Sequence, residues 1–367
     1  MAQVPPLPEP RIALAHALSG VTGQWPAAPG LSAGDWLQVA SREGIVSLVE
    51  RRMRDGLAGV PDPVRQLFSE AVHSEVARLM VRQADARRAL ARFAEAGLPV
   101  LLLKGSALAY WAYPEPHLRS CADVDLLFAS REQALAAAGA LAADGYTVHQ
   151  HFGDAATREF MCLSPRPGGR SVELDMHWAL SSAPVFADRL AFDELMAQSI
   201  ALPALAPTAR GLGPVHAVLH AAMHRLSDLS NGGGEKLKWL YDLHLLMRGL
   251  DDSEWRALVA LATAHGLAGV CADALAETAR VFGTPVPYEA GDALRLARGR
   301  EPMDAVKLRG WLYFQGQNLR ALPGWSSRAR WIWQRLFPTG DYRADVGVSG
   351  GALLADRARR ALRQLRR

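Results

Sequence analysis

The sequence predicts an α/β (α+β) protein, a core built on a mixed sheet and flanked by helical N- and C-terminal regions. Three observations carry that reading. A short, wholly apolar run, Leu98-Pro-Val-Leu-Leu-Leu103, has the size of a buried strand. Two later segments, 123–128 and 171–178, alternate polar and apolar residues with the period of two that a strand imposes. On both sides of this region the apolar spacing becomes helical.

In order along the chain, residues 1–30 are rich in Pro, Gly and Ala and read as a loose lead-in. The pattern from 35 to 96 is helical, punctuated by Pro61-Asp62-Pro63. Its second part, 64–96, reads as one long or broken amphipathic helix with arginines on the wet face. After the apolar strand come Lys104-Gly105-Ser106 and a short helix over 107–113, ended by Pro114 and Pro116. A strand at 123–128 leads to an alanine-rich helix over 131–144, closed by Gly145. Strands are expected at 146–151, 159–164 and 171–178, the last two joined by a turn at 165–169. Beyond 207 the chain is helical again, with Gly232-Gly233-Gly234 as a break. The expected domains are a helical region 1–92, a core 93–206, and a helical region 207–367 that ends in an arginine-rich tail.

Composition excludes several classes. Half of the 367 residues are hydrophobic and 21% are charged, so the chain is neither disordered nor fibrous. The net charge of +4 does not by itself call for nucleic acid. No apolar run approaches the ~18 residues of a membrane span. The first residues lack the basic start and long apolar stretch of a signal peptide. Cys121, Cys162 and Cys271 are far apart and odd in number, against a disulfide framework or a CxxC zinc site. A cytoplasmic protein is expected. Of the 41 basic residues only Lys104, Lys236, Lys238 and Lys307 are lysines, which draws attention to positions where a compact ammonium persists.

The chemistry is expected in the core. Asp123 and Asp125 are two apart on a strand and leave the same face. Glu173, Asp175 and His177 share one face of a later strand. If the two strands are neighbours, Asp123, Asp125 and Asp175 converge. Two carboxylates ~4 Å apart repel by roughly 4 kcal/mol at an effective dielectric near 20. A divalent cation reverses that sign. Oxygen ligands suit Mg²⁺, with Mn²⁺ as the alternative, and paired ions clamp the oxygens of a phosphoryl transfer. Upstream, a strand, Gly105-Ser106 and a helix start form a turn of the kind that meets phosphates.

This order resembles the nucleotidyltransferase superfamily that includes DNA polymerase β, and so implies a polymerase-β-like core. More closely, Leu103-Lys-Gly-Ser-Ala-Leu108, Tyr113-Pro114, Leu118-Arg119 and Ala122-Asp-Val-Asp-Leu-Leu127 resemble a family of bacterial uncharacterised nucleotidyltransferases. Leu174-Asp-Met-His-Trp178 fits its third-carboxylate segment, and Leu237-Lys-Trp-Leu-Tyr-Asp-Leu243 a helical segment after the core. The likeness runs from about 35 to 342. The gap from Gly105 to Asp123 exceeds that of the wider superfamily, and the closer family shares it. The resemblance implies transfer of NMP from an NTP to an unidentified acceptor: a sugar, peptide or small metabolite. It places metal and triphosphate on Asp123 and Asp125. Asp175 would hold the second metal and help deprotonate the acceptor. Gly105 and Ser106 would cradle the β- and γ-phosphates, with Lys104 and Arg119 stabilising charge. His177 would orient Asp175, touch substrate or simply sit in the core. Lys104 competes with a reading in which it snorkels to solvent. The alternatives are a non-catalytic nucleotide- or partner-binding module on the same scaffold and a toxin-like nucleotidyltransferase acting on RNA or protein.

Other signals weigh less. His216, His220 and His224 form a ladder on one helix face, suited to a transition metal, a helix contact or a cleft wall near phosphate. Lys238 and Asp242, four apart, read either as a surface ion pair or as Lys238 reaching the nucleotide. Gly347-Val-Ser-Gly-Gly351 fits G-x-S-x-G but lacks a downstream histidine, and Lys104-Gly105-Ser106 has the wrong order for a P-loop. Residues 328–367 hold ten arginines and three aspartates. RNA or an acidic membrane surface could bind them, but an amphipathic helix with wet arginines is the favoured expectation.

Overall fold

The computed structural model describes residues 9–26, 30–150, 154–165, 171–337, 339 and 341. Its strands are β1 (Leu101–Leu102), β2 (Val124–Leu127), β3 (Thr147–His149), β4 (Glu159–Leu163), β5 (Glu173–His177), β6 (Ile200–Ala201) and β7 (Arg210–Gly211). They form one mixed sheet in the order β3-β4-β5-β2-β1-β7-β6. β2 runs parallel to β5 and antiparallel to β1, so the two alternating segments are indeed neighbours. All four residues of β2 are buried, as expected for a central strand covered on both faces. The sheet has two more strands than the sequence suggests, and β7 lies past residue 206.

The long helix is a single Asp62–Glu95 element of 34 residues, about 50 Å from end to end. Pro63 sits in its first turn, where a missing N–H costs nothing. It joins two cores. Val64 and Phe68 pack with the N-terminal and C-terminal helices, whereas Ala86, Ala89, Leu90 and Phe93 pack under the sheet. Phe93 meets Phe128 edge to face at 5.5 Å. The lead-in reading needs correction: Pro10–Ser19 is a helix, with a proline in its first turn and Gly20 at φ +76 closing it. The short helix after β1 is Lys104–Leu108, earlier than expected.

The N-terminal helices dock on the C-terminal ones. Glu43 accepts from the Leu237 N–H at 2.8 Å, capping the Leu237–Gly249 helix, and Arg11 Nε pairs with it at 3.1 Å. Gly232–Gly234 connects this helix to Pro214–Ser230. The basic region begins as the helix Gly324–Leu336; its part from 342 on, including Gly347–Gly351, lies outside the described residues, as does most of the 165–169 turn.

Candidate active site

Register brings two of the predicted carboxylates together. Asp125 and Asp175 stand opposite each other on β2 and β5, and His177 lies opposite Leu127 on the same strand pair. Single ligand atoms of Asp125, Asp175 and His177 lie within 4.8 Å of one another. Asp123 immediately precedes β2 and does not join that group; burial, then the Asp125 charge, pushes its pKa up.

Asp125 is the most enclosed of the acids. Lys104 Nζ donates to its Oδ1 at 2.5 Å, and His177 Nε2 lies 3.2 Å from the same oxygen. Burial alone would raise its pKa, but Lys104 and His177 outweigh it and hold the carboxyl well below the usual range. Asp125 in turn holds the Lys104 ammonium above its ordinary value despite burial. Lys104 reaches it from a strand-to-helix turn at φ +50, a region non-glycine residues seldom occupy. His177 is pinned from its other side by Glu159 on β4, with Nδ1 to Oε2 at 3.0 Å. Burial opposes its protonation, but the two carboxylates push its pKa up to about 10. Both His177 nitrogens thus face carboxylates, Nε2 toward Asp125 and Nδ1 toward Glu159, an arrangement that favours the protonated ring.

Asp175 differs. Its Oδ1 is buried without a hydrogen-bond partner. Burial pushes its pKa up to about 7; His177 opposes the rise, while Asp125, Asp123 and Glu159 add to it. A buried carboxylate oxygen left without a partner is costly. The Asp125 and Asp175 carboxylates offer hard oxygen atoms of the kind a divalent cation takes, and the orphaned oxygen is the observation that fits one.

The glycine-serine turn braces the acidic strand. The Ser106 hydroxyl donates to the Asp123 carbonyl at 3.3 Å and accepts the Asp125 N–H at 3.1 Å, fixing the acidic strand. Gly105 is buried, and a Cβ there would lie 2.5 Å from Cys121 Sγ and 2.8 Å from Arg119 Nη1. The glycine admits the arginine. Arg119 makes a bidentate pair with Asp242, at 2.7 Å from Nε and 2.6 Å from Nη2, while Nη1 donates to the Ser120 carbonyl at 2.5 Å. Tyr113 also donates to Asp242, at 2.7 Å. Arg119, expected as a charge stabiliser for phosphate, is buried in this pair. It clamps the core to the C-terminal helices. Asp242 is likewise taken by Arg119 and Tyr113 rather than by Lys238. Lys238 packs its stem over Gly44, and burial, then Arg119, pushes its pKa down.

The histidine ladder splits. His216 Nε2 lies 3.1 Å from Glu194. His220 and His224 instead line a narrow pocket with Lys104, Leu102, Trp111 and Trp239. Burial, then Lys104, pushes His220 down to about 3 and His224 also far down, so both are neutral. Among the described residues the ladder gathers no acidic partner into a metal cluster. Glu159 and the pairing of Tyr113 and Arg119 with Asp242 escaped the sequence reading. An acidic residue opening an otherwise apolar strand was the one available signal for Glu159.

Comparison with known proteins bears on this site. Residues 30–283 match the model of a family described as "Uncharacterised nucleotidyltransferase", a span that holds the whole sheet and the helices from Ala33 through Phe282. It ends well short of residue 342. A search of the curated proteins and one of the solved structures found no match. No described helix is long and apolar enough to cross a membrane.

Proposed function

The chain belongs to the uncharacterised nucleotidyltransferase family, and on that premise we propose that it transfers a nucleoside monophosphate from an NTP to an acceptor hydroxyl, with Mg²⁺ or, as the alternative, Mn²⁺. The observation that carries the reading is the in-register pair Asp125 and Asp175, with Asp175 Oδ1 buried and unpartnered. Asp123, Asp125 and Asp175 are the residues that would hold the cation. When bound there, it would supply Lewis-acid charge at the phosphoryl oxygens.

In the proposed reaction the acceptor oxygen attacks the α-phosphorus, the bond to the bridging oxygen breaks, and pyrophosphate leaves. Asp175 would help take the hydroxyl proton. Glu159 and His177 hold Asp125 in place, and Ser106 fixes the backbone on which Asp123 and Asp125 sit. Lys104 and Lys238 bring positive charge to the triphosphate. The acceptor class that the family resemblance implies is a sugar, peptide or small metabolite.

The Lys104 ammonium on Asp125 favours a second reading, a nucleotide-binding module without turnover in which Lys104 supplies the charge a metal would. One experiment separates the two. The purified chain is incubated with Mg²⁺, α-labelled NTPs and fractionated cell extract, and pyrophosphate release and label uptake are measured. Metal-dependent transfer that disappears in Asp125→Ala supports the enzyme. Equal behaviour of wild type and variant refutes the assignment, and NTP binding without turnover supports the module.

A further inference from the structure

The helix Gly324–Leu336 carries an apolar stripe on its solvent side. Trp325 is 83% exposed, Trp333 62%, Leu336 43% and Ile332 42%, with Phe337 just beyond the helix at 40%. At 100° per residue, Trp325, Ile332, Leu336 and Trp333 fall within about 100° of one another on the helix circumference. Arg328 and Arg335 border this stripe on one side and Arg330 on the other. Trp331, turned toward the protein, is 4% exposed and anchors the helix. Arg335 stacks over Trp331 at 4.5 Å, and Arg328 over Trp325 at 5.4 Å. The helix contains three arginines and no acidic residue, and residues 342–367 add seven arginines against two aspartates.

The favoured sequence expectation, wet arginines opposite a buried apolar face, therefore describes only half of this helix. Trp331 is the buried part; the larger aromatic and aliphatic face meets water. A helix about 20 Å long with an apolar, tryptophan-bearing face and arginines along both borders matches the surface of an anionic bilayer. The rings and aliphatic chains would enter the headgroup boundary, while Arg328 and Arg330, one on each border of the stripe, would meet lipid phosphates and carboxylates. A nucleic acid would use the arginines but leave the aliphatic stripe wet. A second copy of the chain would bury the stripe but bring like charges together.

We propose that Gly324–Leu336 is a membrane-surface docking helix for anionic lipid, which would hold the protein at a bilayer face without crossing it.

The test uses the full chain and sedimenting vesicles of either pure phosphatidylcholine or phosphatidylcholine with 30 mol% phosphatidylserine, with tryptophan emission recorded in parallel. Binding at least tenfold tighter to the anionic vesicles is expected, with a blue shift of emission. The substitutions Trp325→Ala, Ile332→Ser and Trp333→Ala together, all at exposed positions, should weaken binding at least tenfold and leave the melting temperature unchanged. Arg328→Glu with Arg330→Glu should remove the preference for anionic lipid. Absence of binding to anionic vesicles overturns the proposal, as does undiminished binding in the triple variant. A dimer dispersed by the same three substitutions, or tighter binding to RNA than to the vesicles, would also overturn it by naming another occupant.

Discussion

Removing the Asp242 carboxylate should be among the most damaging single changes in this protein. The side chains of Arg119 and Asp242 are each only 5% exposed. Asp242→Ala leaves the guanidinium buried with no counter-charge and takes an acceptor from Tyr113. Breaking one side of a buried pair costs about 3–5 kcal/mol, against a total stability on the order of 5–15 kcal/mol. For a chain of 367 residues the melting temperature should fall by roughly 4–6 °C. Scanning calorimetry and urea unfolding of Asp242→Ala, Arg119→Met and the double variant Arg119→Met/Asp242→Leu would measure the effect. The double variant should recover most of the loss, because an apolar pair of similar volume carries no buried charge. If Asp242→Ala unfolds within about 1 kcal/mol of wild type, the clamp does not exist as described. If the double variant loses as much as the two single changes together, the energy does not come from the ion pair.

Three further outcomes follow from the same geometry. Gly105→Ala would force its Cβ against Cys121 and Arg119, so a loss of about 1–3 kcal/mol in urea unfolding is expected, and a stability equal to wild type would contradict the close approach. His244, buried and 2.7 Å from the Thr284 hydroxyl, is pushed down to about 4 by burial and then by Arg248. Between pH 6.5 and 4 the unfolded chain therefore takes a proton that the folded one refuses. Stability should fall through that window by on the order of 2 kcal/mol after solvent screening. Urea midpoints at pH 7.5 and 4.5 should converge in His244→Leu relative to wild type, and an unchanged difference would remove His244 as the source. Glu43→Ala uncaps the Leu237–Gly249 helix and frees Arg11, and should cost about 1–2 kcal/mol by the same measurement. No loss would show that water replaces the cap.

The sheet face that bears the acids was legible because a strand shows its period in every second residue. Asp123-Val124-Asp125 and Glu173 to His177 needed only that rule and adjacency, and β2 and β5 are adjacent. Strands of two residues give no period at all, so β6 and β7 were invisible among the Pro- and Ala-rich segments around them. The Pro10–Ser19 helix was hidden by the same composition, although Pro10 and Gly20 are ordinary start and stop residues. The Arg119–Asp242 pair was not legible because its members lie 123 positions apart, a distance across which local spacing carries no information. The scarcity of lysine was a useful guide in part. Lys104 holds Asp125, and Lys236 Nζ donates to the Arg42 carbonyl at 2.9 Å, whereas Lys307 is an exposed residue near Asp304.

A crystal of the chain soaked with Mn²⁺ and a non-hydrolysable NTP analogue would test the catalytic assignment most directly, through the anomalous signal of the metal. A peak about 2.2 Å from carboxylate oxygens of both Asp125 and Asp175, with the triphosphate beside it and Lys104, is the expected result. Nucleotide bound away from these two aspartates, or a triphosphate whose only counter-charges are lysines, would contradict it.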